Sequence, residues 1–97
     1  MPSFDLIDLA SWTGGSWFKE PKVAIEGLCF DARQIKPGQC FIALKISARD
    51  GHEFLEQAAR GGAVAAIVEN IKPIALPQLR VGDSLVALGA IGAAVRS

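Results

Sequence analysis

Apolar positions along the chain fall first at helical spacing, then into short continuous runs, then at helical spacing again. Leu6, Leu9, Ala10 and Thr13 share one face of a first helix, with Ser3 placed to cap it and Gly14-Gly15 to stop it. Val23, Ile25 and the run Leu28-Cys29-Phe30 then predict a strand, and Ile35-Lys36-Pro37-Gly38-Gln39 carries the Pro-Gly pair of a tight turn. Phe41-Ile42-Ala43-Leu44 predicts a second, buried strand.

A short loop, Ile46 to Arg49, leads into Asp50-Gly51-His52-Glu53, where a capping Asp and a Glu three residues later resemble a capping box opening a helix. Phe54, Leu55 and Ala58 are expected to face the core, and Gly61-Gly62 to end that helix. Ala63 to Val68 is too apolar for an exposed edge and predicts a central strand. Strand, loop, helix and strand in that order predict a crossover unit with its two strands parallel. Pro73 and Pro77 frame a connection to a brief strand, Leu79-Arg80-Val81. Asp83 or Ser84 then caps a last helix containing Leu85, Leu88, Ile91 and Val95, in which Gly89 and Gly92 permit close packing. The reading is a single small α/β domain, with a mixed sheet of about four to five strands flanked by at least three helices.

Composition sharpens this picture. The 97 residues are 51% hydrophobic and 21% charged, as expected of one packed domain. Ten basic and ten acidic residues balance, so no excess of positive charge favours nucleic acid or an anionic membrane as a partner. The most apolar stretch, Gly62 to Val68, ends at Glu69 and Asn70, far short of the ~20 residues that a membrane-spanning helix needs. Asp5 and Asp8 interrupt any signal-like start, so a cytoplasmic setting is expected. Cys29 and Cys40 sit in strand-like runs and are expected as free thiols.

Common catalytic patterns do not fit. There is no Gly-rich loop ending in Lys-Ser or Lys-Thr to cradle phosphates, and the Gly pairs at 14 and 61 stand where helices end. One histidine and two cysteines, without close pairing, do not make an ordinary zinc site. His52 has no Ser or Cys placed by sequence as its nucleophile, and the first turn of a helix suits a structural or ligand-contacting histidine better than a catalytic one.

Asp31-Ala32-Arg33, Ile35-Lys36-Pro37-Gly38, Phe41-Ile42-Ala43-Leu44-Lys45, Asp50-Gly51-His52-Glu53-Phe54 and the stretch Ala58 to Ala63 stand in an order and spacing that resemble the N-terminal domain of the Mur ligases. The opening helix ending in Thr13-Gly14-Gly15, and Leu76-Pro77-Gln78-Leu79 with Asp83, Leu85 and Ala87, look more like the MurF-type branch than the MurE-type. The resemblance implies a domain of a ligase that joins D-alanyl-D-alanine to a UDP-N-acetylmuramoyl tripeptide, activating a carboxylate with ATP during peptidoglycan precursor synthesis. It implies that this domain holds the UDP end and needs no cofactor of its own. ATP and Mg2+ belong to a central domain which, like the C-terminal domain, is expected to be absent from residues 1–97. Alone, this chain is not expected to catalyse the ligation, and its partners are the UDP-sugar peptide and the remaining ligase domains.

The same resemblance assigns substrate binding to Asp31, Ala32, Arg33, Ser47, Ala48, Arg49, Asp50 and His52. Each has a plainer alternative. Arg33 presents a planar fork suited to a phosphate or carboxylate, or else it braces the turn against Asp31. Arg49 reaches a diphosphate, or is an ordinary solvated arginine. Asp50 is a helix cap first. Trp12 and Trp17 are expected in the core or at its rim rather than stacked on a base. Two positions depart from the family pattern: Ala32 replaces a hydroxyl residue and Ile46 a glycine. They support an alternative in which the domain is a degenerate, non-catalytic module kept for packing or protein contacts.

Overall fold

The computed structural model describes residues 4–46 and 49–96. Helix α1 (Leu6–Thr13) starts at Asp5, whose carboxylate accepts the Ile7 N–H at 2.7 Å, and stops at Gly14. The cap therefore lies two residues beyond Ser3, which falls outside the described residues. Next come the short strand β1 (Ser16–Trp17), β2 (Gly27–Cys29) and β3 (Gln39–Ile42). A two-stranded hairpin, β4 (Lys45–Ile46) with β5 (Arg49–Asp50), replaces the plain loop expected there. One 3-10 turn (Gly51–Phe54) leads into α2 (Leu55–Arg60), followed by β6 (Ala65–Val68), β7 (Gln78–Arg80) and α3 (Ser84–Arg96).

The main sheet has the order β1-β7-β6-β3-β2. β2, β3, β6 and β7 run parallel and only β1 is antiparallel, so the sheet is mixed as expected. All four residues of β6 are buried, which fits a central strand covered on both faces. Strand alternation sorts the core into two layers. Cys40, Ile42, Ala65, Ile67 and Leu79 point to one face, where Leu9 of α1 and Ala87 and Ile91 of α3 cover them. Phe41, Ala43, Ala66 and Val68 point to the other, against Leu55 and Ala58 of α2. Through its register with Ala66, β7 turns Gln78 toward this second face. Gln78 is buried there, and its amide bonds to the backbone of Lys72 and Leu76, pinning the connection between the prolines.

One expected core position is exposed, as are two apolar residues of the last helix. Phe54 is 40% exposed because the 3-10 turn offsets it from the α2 stripe, while Leu85 and Val95 lie on the outer face of α3. Trp17 is half-buried and donates its indole N–H to the Leu6 carbonyl at 2.9 Å, a rim position. Both cysteines are free, and burial pushes the Cys40 thiol up to about 12. Gly62 has φ +107°, and a Cβ there would meet the Pro37 backbone at 2.7 Å, so the turn after α2 and the Pro-Gly turn require this glycine together. No helix among the described residues is long and apolar enough to cross a membrane.

Candidate functional site

Because four strands are parallel, the segments following Cys29, Ile42, Val68 and Arg80 all emerge at one edge of the sheet. Open α/β sheets place ligands at such carboxyl edges, where loops diverge and backbone groups are free to point outward. Here that edge carries the turn at Asp31, the β4–β5 hairpin, Glu69 and the start of α3.

Asp31 and Arg33 form a fork of their own. Asp31 Oδ1 accepts the Arg33 backbone N–H at 3.0 Å and its Nε at 3.1 Å, and Oδ2 accepts Nη2 at 3.1 Å. This pairing raises the Arg33 guanidinium pKa above its ordinary value, through the Asp31 hydrogen bond first and its charge second. The brace is thus the geometry adopted, although the arginine side chain is 77% exposed and its outer face remains open to solvent. Ala32 is buried, its methyl packed with Phe41, Ala43 and Leu55.

The hairpin is tied down at both ends. Lys45 donates its backbone N–H to Ser84 Oγ at 2.9 Å, and Ser84 Oγ–H in turn donates to Glu69 Oε2 at 2.7 Å. The Ser84 N–H donates to the same carboxylate oxygen at 2.8 Å. From its own backbone, Glu69 donates N–H to His52 Nε2 at 2.9 Å. An Nε2 that accepts cannot carry a proton, so Nδ1–H is the donor to Asp50 Oδ1, at 2.6 Å. Asp50 Oδ1 also accepts the His52 N–H at 3.0 Å, capping the 3-10 turn as the sequence pattern predicts. Gly51 is required between them: a Cβ would meet the Leu44 N at 2.7 Å, and the Gly51 N–H itself bonds to the Leu44 carbonyl.

These bonds set the electrostatics. Asp50 is held below the usual carboxylate range, chiefly by the His52 N–H, and Glu69 likewise, chiefly by the Ser84 N–H. Among the described residues no group of three or more His, Cys, Asp or Glu is disposed to hold a metal ion. A shallow, largely apolar groove of about 430 Å³, lined by Val23, Ala63, Val64, Leu76 and Pro77 among others, lies at the opposite, amino-terminal edge.

The structure therefore brings together Asp50 and His52 with three residues that sequence reasoning did not assign to the site: Lys45, Glu69 and Ser84. His52 is buried with both ring nitrogens engaged by the chain, so any part it plays at this edge runs through Asp50 and Glu69. Arg49 and Ile46 are register partners in the hairpin. Ser47 and Ala48 lie outside the described residues. Glu69 carried one signal in the sequence, a charge directly after the most apolar strand. Ser84 carried only that of an alternative helix cap.

No family model matches the chain. It is 40% identical over 74 residues to the UDP-N-acetylmuramoyl-tripeptide--D-alanyl-D-alanine ligase of Escherichia coli, an alignment covering 76% of this chain and 16% of that protein. The fold matches a crystal structure of MurF from Acinetobacter baumannii with a TM-score of 0.90 and 33% identity, over 96% of this chain and 21% of that one. The chain belongs to the Mur ligase family. It is a domain of the family's N-terminal kind, with the expected small α/β fold. This Mur ligase domain is also 40% identical over 86 residues to the UDP-N-acetylmuramoyl-L-alanyl-D-glutamate--2,6-diaminopimelate ligase of Gloeobacter violaceus, covering 86% of the chain and 18% of that relative. It spans less than a fifth of the length of either curated relative.

Proposed function

We propose that this Mur ligase domain is the substrate-recognition part of a MurF-type ligase. It binds the UDP end of a UDP-N-acetylmuramoyl tripeptide, to which the parent enzyme adds D-alanyl-D-alanine in cytoplasmic peptidoglycan precursor synthesis. The observation that carries the reading is the carboxyl edge of the parallel strands, where the Asp31–Arg33 turn and the Arg49–Asp50 leg of the hairpin emerge side by side with the end of β6. Ser47, Ala48 and Arg49 belong to this reading through the family resemblance, Ala32 and Arg33 through the Asp-x-Arg turn, and Asp50 and His52 as the support beneath. ATP and Mg2+ are assigned to a central domain of the parent ligase, and the partners of this domain are the UDP-sugar peptide and the other ligase domains. The likeness to MurF of Acinetobacter baumannii and to the tripeptide ligase of Escherichia coli supports this branch, and the equally identical 2,6-diaminopimelate ligase of Gloeobacter violaceus keeps the MurE type as its alternative.

Isothermal titration of the chain with UDP-N-acetylmuramoyl tripeptide tests the reading. A saturable, 1:1 heat is expected, and no binding at millimolar ligand overturns it. One observation favours a second reading, a non-catalytic module of the same fold: Ala32 is buried in the core where the family carries a hydroxyl. Under the first reading, Ala32→Ser with Ile46→Gly preserves or tightens binding. Under the second, neither the chain nor the double variant binds.

A further inference from the structure

The bonds around Glu69 close a ring that serves no fold element alone. Lys45 and Asp50 are register partners at the base of the hairpin. One leg reaches Glu69 through the Ser84 hydroxyl, ending on the carboxylate. The other reaches it through the His52 ring, ending on the backbone N–H. Side chain and main chain of a single residue, at the end of the central strand, thus hold opposite legs of one hairpin. Ser84 is fully buried and His52 nearly so, and among the described residues no buried side-chain nitrogen or oxygen lacks a hydrogen-bond partner. Breaking a bond to the Ser84 hydroxyl or the His52 ring strands a buried polar group, whereas the Asp50 and Glu69 carboxylates stay partly open to solvent.

The N-terminus of α3 is capped by two carboxylates, and Glu69 Oε2 accepts its first N–H, that of Ser84, at 2.8 Å. Asp83 accepts the N–H groups of Leu85 and Val86, at 2.9 and 3.0 Å. Glu69 Oε2 also accepts the Ser84 hydroxyl proton, a bond that capping the N–H groups does not need, and this second bond aims the hydroxyl oxygen at Lys45.

We infer that Glu69 and Ser84 are positioning residues, a clamp that sets the placement of the β4–β5 hairpin and so the shape of the nucleotide-binding edge. The consequence for binding rests on the function proposed above; the clamp itself does not. Holding a recognition hairpin in its bound arrangement lowers the ordering cost of association, so loosening it weakens affinity without deleting a ligand contact.

Two measurements on the 97-residue chain test this, each with Ser84→Ala, Glu69→Ala and Glu69→Gln. The first is amide hydrogen exchange at Lys45, whose acceptor is Ser84 and not Glu69. Glu69→Ala leaves that acceptor in place but unaimed, so Lys45 exchange is expected to rise about fivefold, while Glu69→Gln, which keeps an acceptor oxygen, holds it near the parent rate. Unchanged Lys45 protection in Glu69→Ala overturns the inference. The second is titration with UDP-N-acetylmuramoyl tripeptide. Ser84→Ala and Glu69→Ala should each raise Kd about fivefold, and the double variant no further than the weaker single, as members of one chain of bonds do. Binding by the parent with equal Kd in both variants overturns the positioning role. If the parent itself does not bind, the proposed function fails, and the exchange measurement alone decides the clamp.

Discussion

His52 shows how a single side chain earns its place through partners that are distant in the chain. Its ring accepts the Glu69 N–H, donates to Asp50 and fills buried space at the base of the hairpin. Replacing it with alanine leaves the Glu69 N–H without its ring acceptor, removes one of the two bonds to Asp50 Oδ1 and opens a cavity. His52→Ala is therefore expected to cost about 2–4 kcal/mol, read as a lower urea midpoint at unchanged slope. A loss below ~0.5 kcal/mol, within the range of ordinary surface changes, would refute the structural role. At this scale Asp50 was legible in the sequence, since a cap acts on its own next residues. The partner of His52 was not, because Glu69 lies 17 positions away and is brought near only by the pairing of β3 with β6. The same holds for Ala32, whose place in the Asp-x-Arg motif is local but whose burial depends on packing beneath Phe41 and Leu55.

Among the elements, α3 illustrates a division of labour. The sequence offered Asp83 or Ser84 as the cap, and both neighbours turn out to be used differently. Asp83 caps, while Ser84 turns inward to Glu69 and Lys45. Asp83→Ala should cost about 1 kcal/mol, the usual loss of an N-cap, in thermal or urea unfolding, and should leave Lys45 amide exchange at the parent rate. Faster exchange at Lys45 in that variant would mean that the two roles are not separable. The hairpin escaped sequence reading for a plain reason. Strands of two residues have no periodicity to detect, and their pairing is fixed by anchors at Lys45 and Asp50 rather than by an apolar face. Exposure of Phe54 has a similar origin, since a helix pattern assumed from Asp50 onward misplaces residues carried by a 3-10 turn.

Across the whole molecule, the two carboxylates of the edge couple the fold to pH. Both Asp50 and Glu69 are held below their ordinary range by hydrogen bonds present only in the folded chain. A depressed folded value means stability that is present above the unfolded value of ~4 and is lost as pH falls through the folded one. Urea midpoints should therefore decline below pH ~4, and the decline should be shallower in Glu69→Gln. A profile unaffected by that substitution would exclude Glu69 as a contributor. What the sequence determined by itself was whatever depends on neighbours along the chain or on the period of an element: the helices, the buried strands, the turn glycines, the α/β class and the family motifs. Tertiary structure alone decided the strand order, which helix face meets which side of the sheet, and the junction of Lys45, Asp50, His52, Glu69 and Ser84. Hydrophobic periodicity records that a face is buried but not against what, and a hydrogen bond between residues far apart leaves no mark in the spacing of either.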